Sequence, residues 1–121
     1  MTGELNLGQT LEYIGNGAFL KAAFKTKTLQ IHEGLESIGV SAFAQYRNLE
    51  ELIIPDSALE IGTNAFSSCT NLKSLTLLSV EIEIGPNAFE FSELINVTLH
   101  TAATTISNDV PLIHCDGKSC G

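Results

Sequence analysis

The chain has 121 residues, of which 44% are hydrophobic and 17% are charged, and these proportions favour one folded domain over a disordered segment. Its fourteen acidic residues outnumber six Lys and Arg, giving a formal charge of -8, so nucleic acids and anionic membrane surfaces, which require clustered basic residues, are not expected partners. We expect no membrane insertion in this chain, because no segment approaches the roughly 18 apolar residues of a span, and its first residues lack the pattern of an export signal.

Five short strands are predicted, in each of which apolar and polar residues alternate. In chain order they cover residues 5–7, 29–31, 52–54, 75–77 and 97–99. Alternation with a period of two indicates a strand that buries one face. In each of the first four strands, the second apolar residue precedes the next isoleucine-glycine pair by seven positions, so the chain begins in the middle of a repeat.

A six-residue motif, Ile-Gly-x-x-Ala-Phe, follows the first four strands. Its copies begin at Ile14, Ile38, Ile61 and Ile84, at intervals of 24, 23 and 23 residues. A period this short is typical of one coil of a solenoid rather than of a globular domain. We therefore expect the phenylalanine side chains of successive coils to stack in a ladder: Phe19, Phe43, Phe66 and Phe89.

Within each motif, the residue types predict a turn and then a short helical segment. The glycines stand where the chain must turn, and glycine adopts a positive φ at little steric cost. The residues two positions later, Gly17, Ser41, Asn64 and Asn87, are types favoured at helix N-caps. Asn48 and Asn71 fit a left-handed exit from the helical segment.

One repeat unit shows the whole pattern most clearly. Residues 59–77 read Leu-Glu-Ile-Gly-Thr-Asn-Ala-Phe-Ser-Ser-Cys-Thr-Asn-Leu-Lys-Ser-Leu-Thr-Leu, and the preceding unit adds Ile54-Pro55. Over about residues 5–106 the chain resembles the BspA-type leucine-rich repeat family. The resemblance implies an α/β solenoid, a leucine-rich repeat arc with a short parallel β-sheet on the concave side and short helical turns on the convex side.

The same resemblance implies a non-enzymatic protein-interaction module. Such proteins are commonly cell-surface or secreted proteins of bacteria and parasitic protists that adhere to host or extracellular-matrix proteins, although this chain shows neither an export signal nor an anchor. We assign residues 1–106 to the solenoid, with four full repeats of about 23 residues after a partial one. Residues 107–121 are assigned to a C-terminal cap or tail.

Outward positions of the strands are the candidate ligand-binding residues. They form two columns, Thr28, Glu51, Ser74 and Asn96 in one, and Gln30, Ile53, Thr76 and Thr98 in the other. A flat, mostly neutral face of this kind suits a protein ligand, although these residue types are also simply soluble and compatible with β-structure. The unpaired edge of the first strand predicts weak self-association there.

Cysteines and histidines are the residues of this chain that metal, redox or nucleophilic chemistry would use. Cys69 is predicted to be a buried, inert thiol, because no base is placed beside it. His32 and His100 are three coils apart, which at about 4.8 Å per strand separates them by roughly 14 Å. They cannot share a metal ion, because imidazole-metal bonds are only about 2 Å long. A disulfide between Cys115 and Cys120 is one interpretation of the tail; zinc binding with His114, or an unpaired tail, are the others.

Enzymatic activity is not expected, because the chain contains no nucleophile elbow, phosphate-binding loop or paired-carboxylate pattern. No cofactor or metal is predicted. Two alternatives to an adhesive module remain open: an intracellular leucine-rich repeat scaffold or regulatory module, and a small thiol- or metal-responsive protein that uses Cys115 and Cys120.

Overall fold

Repeated short strands build the molecule. The computed structural model describes residues 4–79 and 82–99, and these form about four coils of a parallel β-solenoid. The strands are β1 (Tyr13–Ile14), β2 (Thr28–Gln30), β3 (Ser37–Ile38), β4 (Glu51–Ile54), β5 (Glu60–Ile61), β6 (Ser74–Leu77), β7 (Glu83–Ile84) and β8 (Asn96–Leu99). Odd-numbered strands form one parallel sheet and even-numbered strands form the other, so each coil contributes one strand to each sheet.

The register of both sheets follows the sequence repeat. In the larger sheet, Leu29 pairs with Leu52 and Leu52 with Leu75, so that each coil places a buried leucine over the last. In the smaller sheet, Ile38 pairs with both Ile14 and Ile61. The predicted solenoid is therefore confirmed.

The phenylalanine ladder is confirmed as the centre of the core. Ring centroids lie 5.0 Å apart between Phe19 and Phe43, 5.2 Å between Phe43 and Phe66, and 5.5 Å between Phe66 and Phe89. The planes of the rings differ by 13°, 6° and 4°, so the rings lie nearly parallel. The last three rings are buried, whereas Phe19, in the first coil, is only partly covered.

The predicted helical turns on the convex side are wrong, because none of the described residues is helical. In the second coil, Ala42 and Ala44 donate their N–H groups to the carbonyls of Gly39 and Ser41, three residues back. The residues that alternate with them donate to the next coil instead: Ser41 to Thr63 O at 2.9 Å and Phe43 to Ala65 O at 2.8 Å. Since an α-helix requires every N–H to reach four residues back, this arc is a chain of overlapping β-turns.

The motif glycines also differ from their predicted role. The positive φ values occur two residues later, at Gly17 (65°), Ser41 (56°), Asn64 (58°) and Asn87 (60°), which are therefore turn residues and not helix N-caps. Gly39 and Gly62 do not have positive φ; a Cβ on Gly62 would lie 2.7 Å from both Gly39 C and Val40 N. Glycine is required here because the backbones of neighbouring coils approach each other closely.

Two asparagines link the coils through their side chains rather than through a left-handed backbone. Asn48 Nδ2 donates to Phe24 O, and Asn71 Nδ2 donates to Arg47 O, both at 2.7 Å. Neither residue has a positive φ, so their predicted left-handed conformation is wrong. Each side chain instead donates a hydrogen bond to a backbone carbonyl of the preceding coil that lies outside the strands.

Residues 5–7, predicted as the first strand, are not a strand in the structure. The Leu5 N–H donates to Thr26 Oγ1 at 2.8 Å, and the Gly8 N–H donates to Asn6 Oδ1 at 2.9 Å, where Gly8 has a φ of 71°. Side-chain acceptors therefore take N–H groups of this segment, and the chain turns at Gly8. Among the described residues, β2 is the N-terminal strand of the larger sheet.

Candidate functional site

The larger sheet brings all eight candidate binding residues onto one surface. The pairing places Thr28, Glu51, Ser74 and Asn96 side by side in one column and Gln30, Ile53, Thr76 and Thr98 in the other. Residues between the columns, such as Leu52 and Leu75, are buried, so the columns face solvent. We call these eight residues the polar sheet face.

The polar sheet face carries little charge. Glu51 is its one ionisable residue, and Glu51 Oε1 accepts a hydrogen bond of 3.4 Å from Thr28 Oγ1. Ile53 is the one apolar side chain and lies half-buried between Gln30 and Thr76. At the margin, Lys27 Nζ lies 3.9 Å from Glu50 Oε2, and because both side chains are more than half exposed, this ion pair contributes little to stability.

A cavity of about 300 Å³ adjoins the face at its N-terminal end. It lies between the segment that precedes β1 and strand β2. Its polar lining comes from six residues: Asn6, Gln9, Thr26, Thr28, Gln30 and His32. The polar sheet face therefore continues into a concave, largely neutral groove at this end.

His32 makes a hydrogen bond to the backbone of the segment that precedes β1. Its Nε2 lies 2.9 Å from Leu11 O, and since a carbonyl can only accept, Nε2 carries the proton and donates. His100, its equivalent in the repeat, lies outside the described residues. Among residues 4–79 and 82–99, no group of three or more His, Cys, Asp or Glu side chains is arranged to hold a metal ion.

The prediction that the Cys69 thiol is buried is confirmed. The side chain is buried, and Sγ donates a hydrogen bond of 3.3 Å to Phe43 O. Burial raises the pKa of Cys69 to about 12, so at neutral pH the thiol stays protonated and is a poor nucleophile. The other two cysteines, Cys115 and Cys120, lie outside the described residues, and their pairing stays a prediction.

Two exposed hydrophobic side chains, Tyr13 in β1 and Leu59 just before β5, were missed by the sequence analysis. Tyr13 and Leu59 are 62% and 60% exposed, and Tyr13 Oη donates a hydrogen bond of 3.3 Å to Glu36 Oε1. The negative charge of Glu36 raises the pKa of Tyr13 above its usual value. Tyr13 directly precedes the motif isoleucine Ile14, and Leu59 lies two residues before Ile61, but strands of two residues are too short to show a period.

The described residues include no helix that is long and apolar enough to cross a membrane.

The repeat found in the structure also matches a known family. Residues 2–111 match the model of the BspA type leucine-rich repeat region, in six copies. Comparisons with curated proteins and with solved structures found no match. Because the family match covers almost the whole chain and the structure repeats with the same period, the chain belongs to the BspA-type leucine-rich repeat family.

Proposed function

We propose that the protein is a non-enzymatic interaction module of a cell-surface or secreted adhesin-like protein, and that it binds host or extracellular-matrix proteins through the polar sheet face. The single observation that carries the proposal is the pair of outward columns on the larger sheet. Membership of a leucine-rich repeat family supports protein binding in general, since repeat proteins commonly use an extended sheet surface.

The chemistry of the face suits many small polar contacts with a protein. Its hydroxyl and amide groups both donate and accept hydrogen bonds, and Ile53 supplies an apolar contact at the centre. No Trp, Tyr or Phe belongs to the eight residues, and such residues dominate tight interfaces. We therefore propose weak binding per module, strengthened by avidity where several modules act together.

Direct binding to purified extracellular-matrix proteins tests the proposal. The variant Ile53→Glu places a charge at the centre of the face. Its matched control is Leu59→Glu, which introduces the same charge at a side chain that is 60% exposed and lies just before β5, outside the polar sheet face. We expect Ile53→Glu to weaken capture at least about tenfold, the effect of losing one central contact of 1.4 kcal/mol, while Leu59→Glu binds like the wild type. Equal binding by both variants, or no capture of any matrix protein, would remove the proposed function.

We propose in addition that the protein self-associates weakly at its N-terminal end. Ala18 is exposed and Phe19 partly buried, whereas their equivalents in the next coil, Ala42 and Phe43, are fully buried. The first coil thus exposes alanine and phenylalanine side chains whose equivalents in the second coil are buried.

The backbone of the turn arc limits the geometry of this association. N–H groups of the first coil point towards the second, as when Phe19 donates to Ala42 O at 2.7 Å. The outer side of the first coil therefore presents carbonyls, those of Asn16, Ala18 and Leu20, which receive no N–H from any described residue. Two first coils facing each other would bring acceptors against acceptors, so we expect head-to-tail contact. A strict monomer at high concentration in sedimentation would contradict self-association.

A further inference from the structure

The outer edge of β2 presents backbone groups that pair with no other strand among residues 4–79 and 82–99. Lys27 O accepts from Glu51 N at 3.0 Å, and Ile31 N donates to Ile53 O at 3.1 Å, so alternate residues of this strand bond to β4. By the alternation of a parallel ladder, the N–H and C=O groups of Thr28 and Gln30 point the other way. Such an edge is a template for one more strand.

The chain's own N-terminal segment does not occupy this edge. The Leu5 N–H is bonded to Thr26 Oγ1, and that hydroxyl in turn donates to Glu4 Oε1 at 2.8 Å. Leu5 and Leu7 pack against the core, and the chain turns away at Gly8. No backbone hydrogen bond joins residues 4–9 to β2, and the cavity of about 300 Å³ lies between them.

We propose that an extended peptide segment of the protein ligand adds to the larger sheet as a strand beside β2, in this cavity. This inference rests on the proposed function of the polar sheet face and gives the form of the ligand that the face receives. An extended backbone matches the edge because it offers a donor and an acceptor at alternate residues, in the same period as Thr28 and Gln30.

The side-chain chemistry of the added segment follows from its surroundings. One set of its alternating side chains would lie beside Thr28 and Gln30, on the polar sheet face, and the other set would face Leu5, Leu7 and Leu29, which line the cavity. The segment should therefore alternate polar with apolar residues. Because the cavity has a neutral lining, and Glu4 and Glu51 lie beside it, a basic residue is favoured over an acidic one.

A designed peptide provides the direct test. The probe is a fluorescein-labelled, end-blocked peptide of alternating Thr and Val with one Lys, and its binding is followed by fluorescence anisotropy. The control is the same peptide N-methylated at alternate residues, prepared in both registers, which removes donors while keeping the side chains. We expect the peptide whose methyl groups replace the N–H groups facing β2 to bind at least tenfold more weakly than the unmethylated peptide. Hydrogen exchange at the Thr28 and Gln30 amides should slow when the unmethylated peptide is present. Equal binding of all three peptides, or no binding of any, would overturn the proposal.

A pair of protein variants tests the same edge from the other side. Gln30→Pro and Gln30→Ala both remove the side chain, but only proline removes the outward N–H. The bonds to β4 come from the neighbouring residues, so an edge proline leaves the ladder in place. We expect Gln30→Pro to bind the peptide at least tenfold more weakly than Gln30→Ala. Equal binding by two folded variants overturns the inference, and if Gln30→Pro does not fold, the methylated peptides decide alone.

Failure of this inference can be distinguished from failure of the proposed function. If Ile53→Glu loses matrix-protein binding while Gln30→Pro and Gln30→Ala bind that protein equally, the polar sheet face is the binding surface and strand addition is wrong. If Gln30→Pro abolishes self-association and the peptide does not bind, the occupant of the edge is a second copy of the chain, which also overturns the inference.

Discussion

Adding one methyl group at the motif glycine should have opposite effects in different coils. In Gly62→Ala, the new Cβ would lie 2.7 Å from two backbone atoms of the preceding coil, Gly39 C and Val40 N. Backbone atoms of a paired coil cannot rotate away as a flexible side chain can, so the coils must separate locally. Overpacking of this kind typically costs about 1–3 kcal/mol.

Gly15→Ala is the matched control, because it makes the same change at the same motif position. A Cβ on Gly15 meets nothing within 4 Å, and the residue does not have a positive φ. Its main effect is then to restrict the unfolded chain, which stabilises a protein by about 0.4–1 kcal/mol. The two variants should therefore shift stability in opposite directions.

Urea unfolding followed by circular dichroism measures the difference. With a slope of about 2 kcal/mol per M, a loss of about 2 kcal/mol lowers the midpoint for Gly62→Ala by about 1 M. The midpoint for Gly15→Ala should rise by about 0.2–0.5 M. Equal shifts for the two variants would refute the reasoning, since contact with a preceding coil is the feature that separates them.

Three further substitutions test other parts of the fold. Phe66→Ala should cost about 3–5 kcal/mol in thermal or urea unfolding, because the ring is fully buried between two others, whereas Phe91→Ala, at a side chain 68% exposed, should change stability by less than about 0.5 kcal/mol. Asn64→Ala should cost about 1–2 kcal/mol at its φ of 58°, and Asn64→Gly should be better tolerated; equal losses would contradict a steric origin. The folded state holds the Cys69 proton more tightly than the unfolded chain does, since burial raises its pKa from 9.0 to about 12. Stability should be full below about pH 9 and fall as the pH rises towards 12, by up to about 1.4 kcal/mol per pH unit, and a Cys69→Ala variant measured in parallel should lack this component.

The sequence predicted those features that depend on period alone. The spacing of the phenylalanines requires one ring per coil, and a ladder follows wherever coils stack at strand spacing. The polar sheet face followed from alternation, because burying Leu29, Leu52 and Leu75 directs their neighbours to solvent.

Features that depend on contacts between coils were predicted wrongly. Alanine and phenylalanine are compatible with a helix, but the arc is too short to offset the cost of nucleating one. Its N–H groups gain partners in the next coil instead, as Phe43 does with Ala65. A glycine in the motif is compatible both with a positive φ and with a close approach of two backbones. Only the position of the preceding coil, whose backbone lies against Gly39 and Gly62, shows that close approach is the reason.

The wrong prediction of helical turns in the convex arc did not affect the prediction of the polar sheet face, for a physical reason. The register of the larger sheet is set by its apolar column, since a shift of one residue would expose Leu52 and Leu75 and bury Glu51 and Ser74. The arc needs only to return the chain by one coil, which overlapping turns and a helix can both do. At the N-terminal end this constraint weakens, because Leu5 and Leu7 are only partly buried. The predicted strand at residues 5–7 fails at that end, and the same end leaves open the edge where we place the ligand.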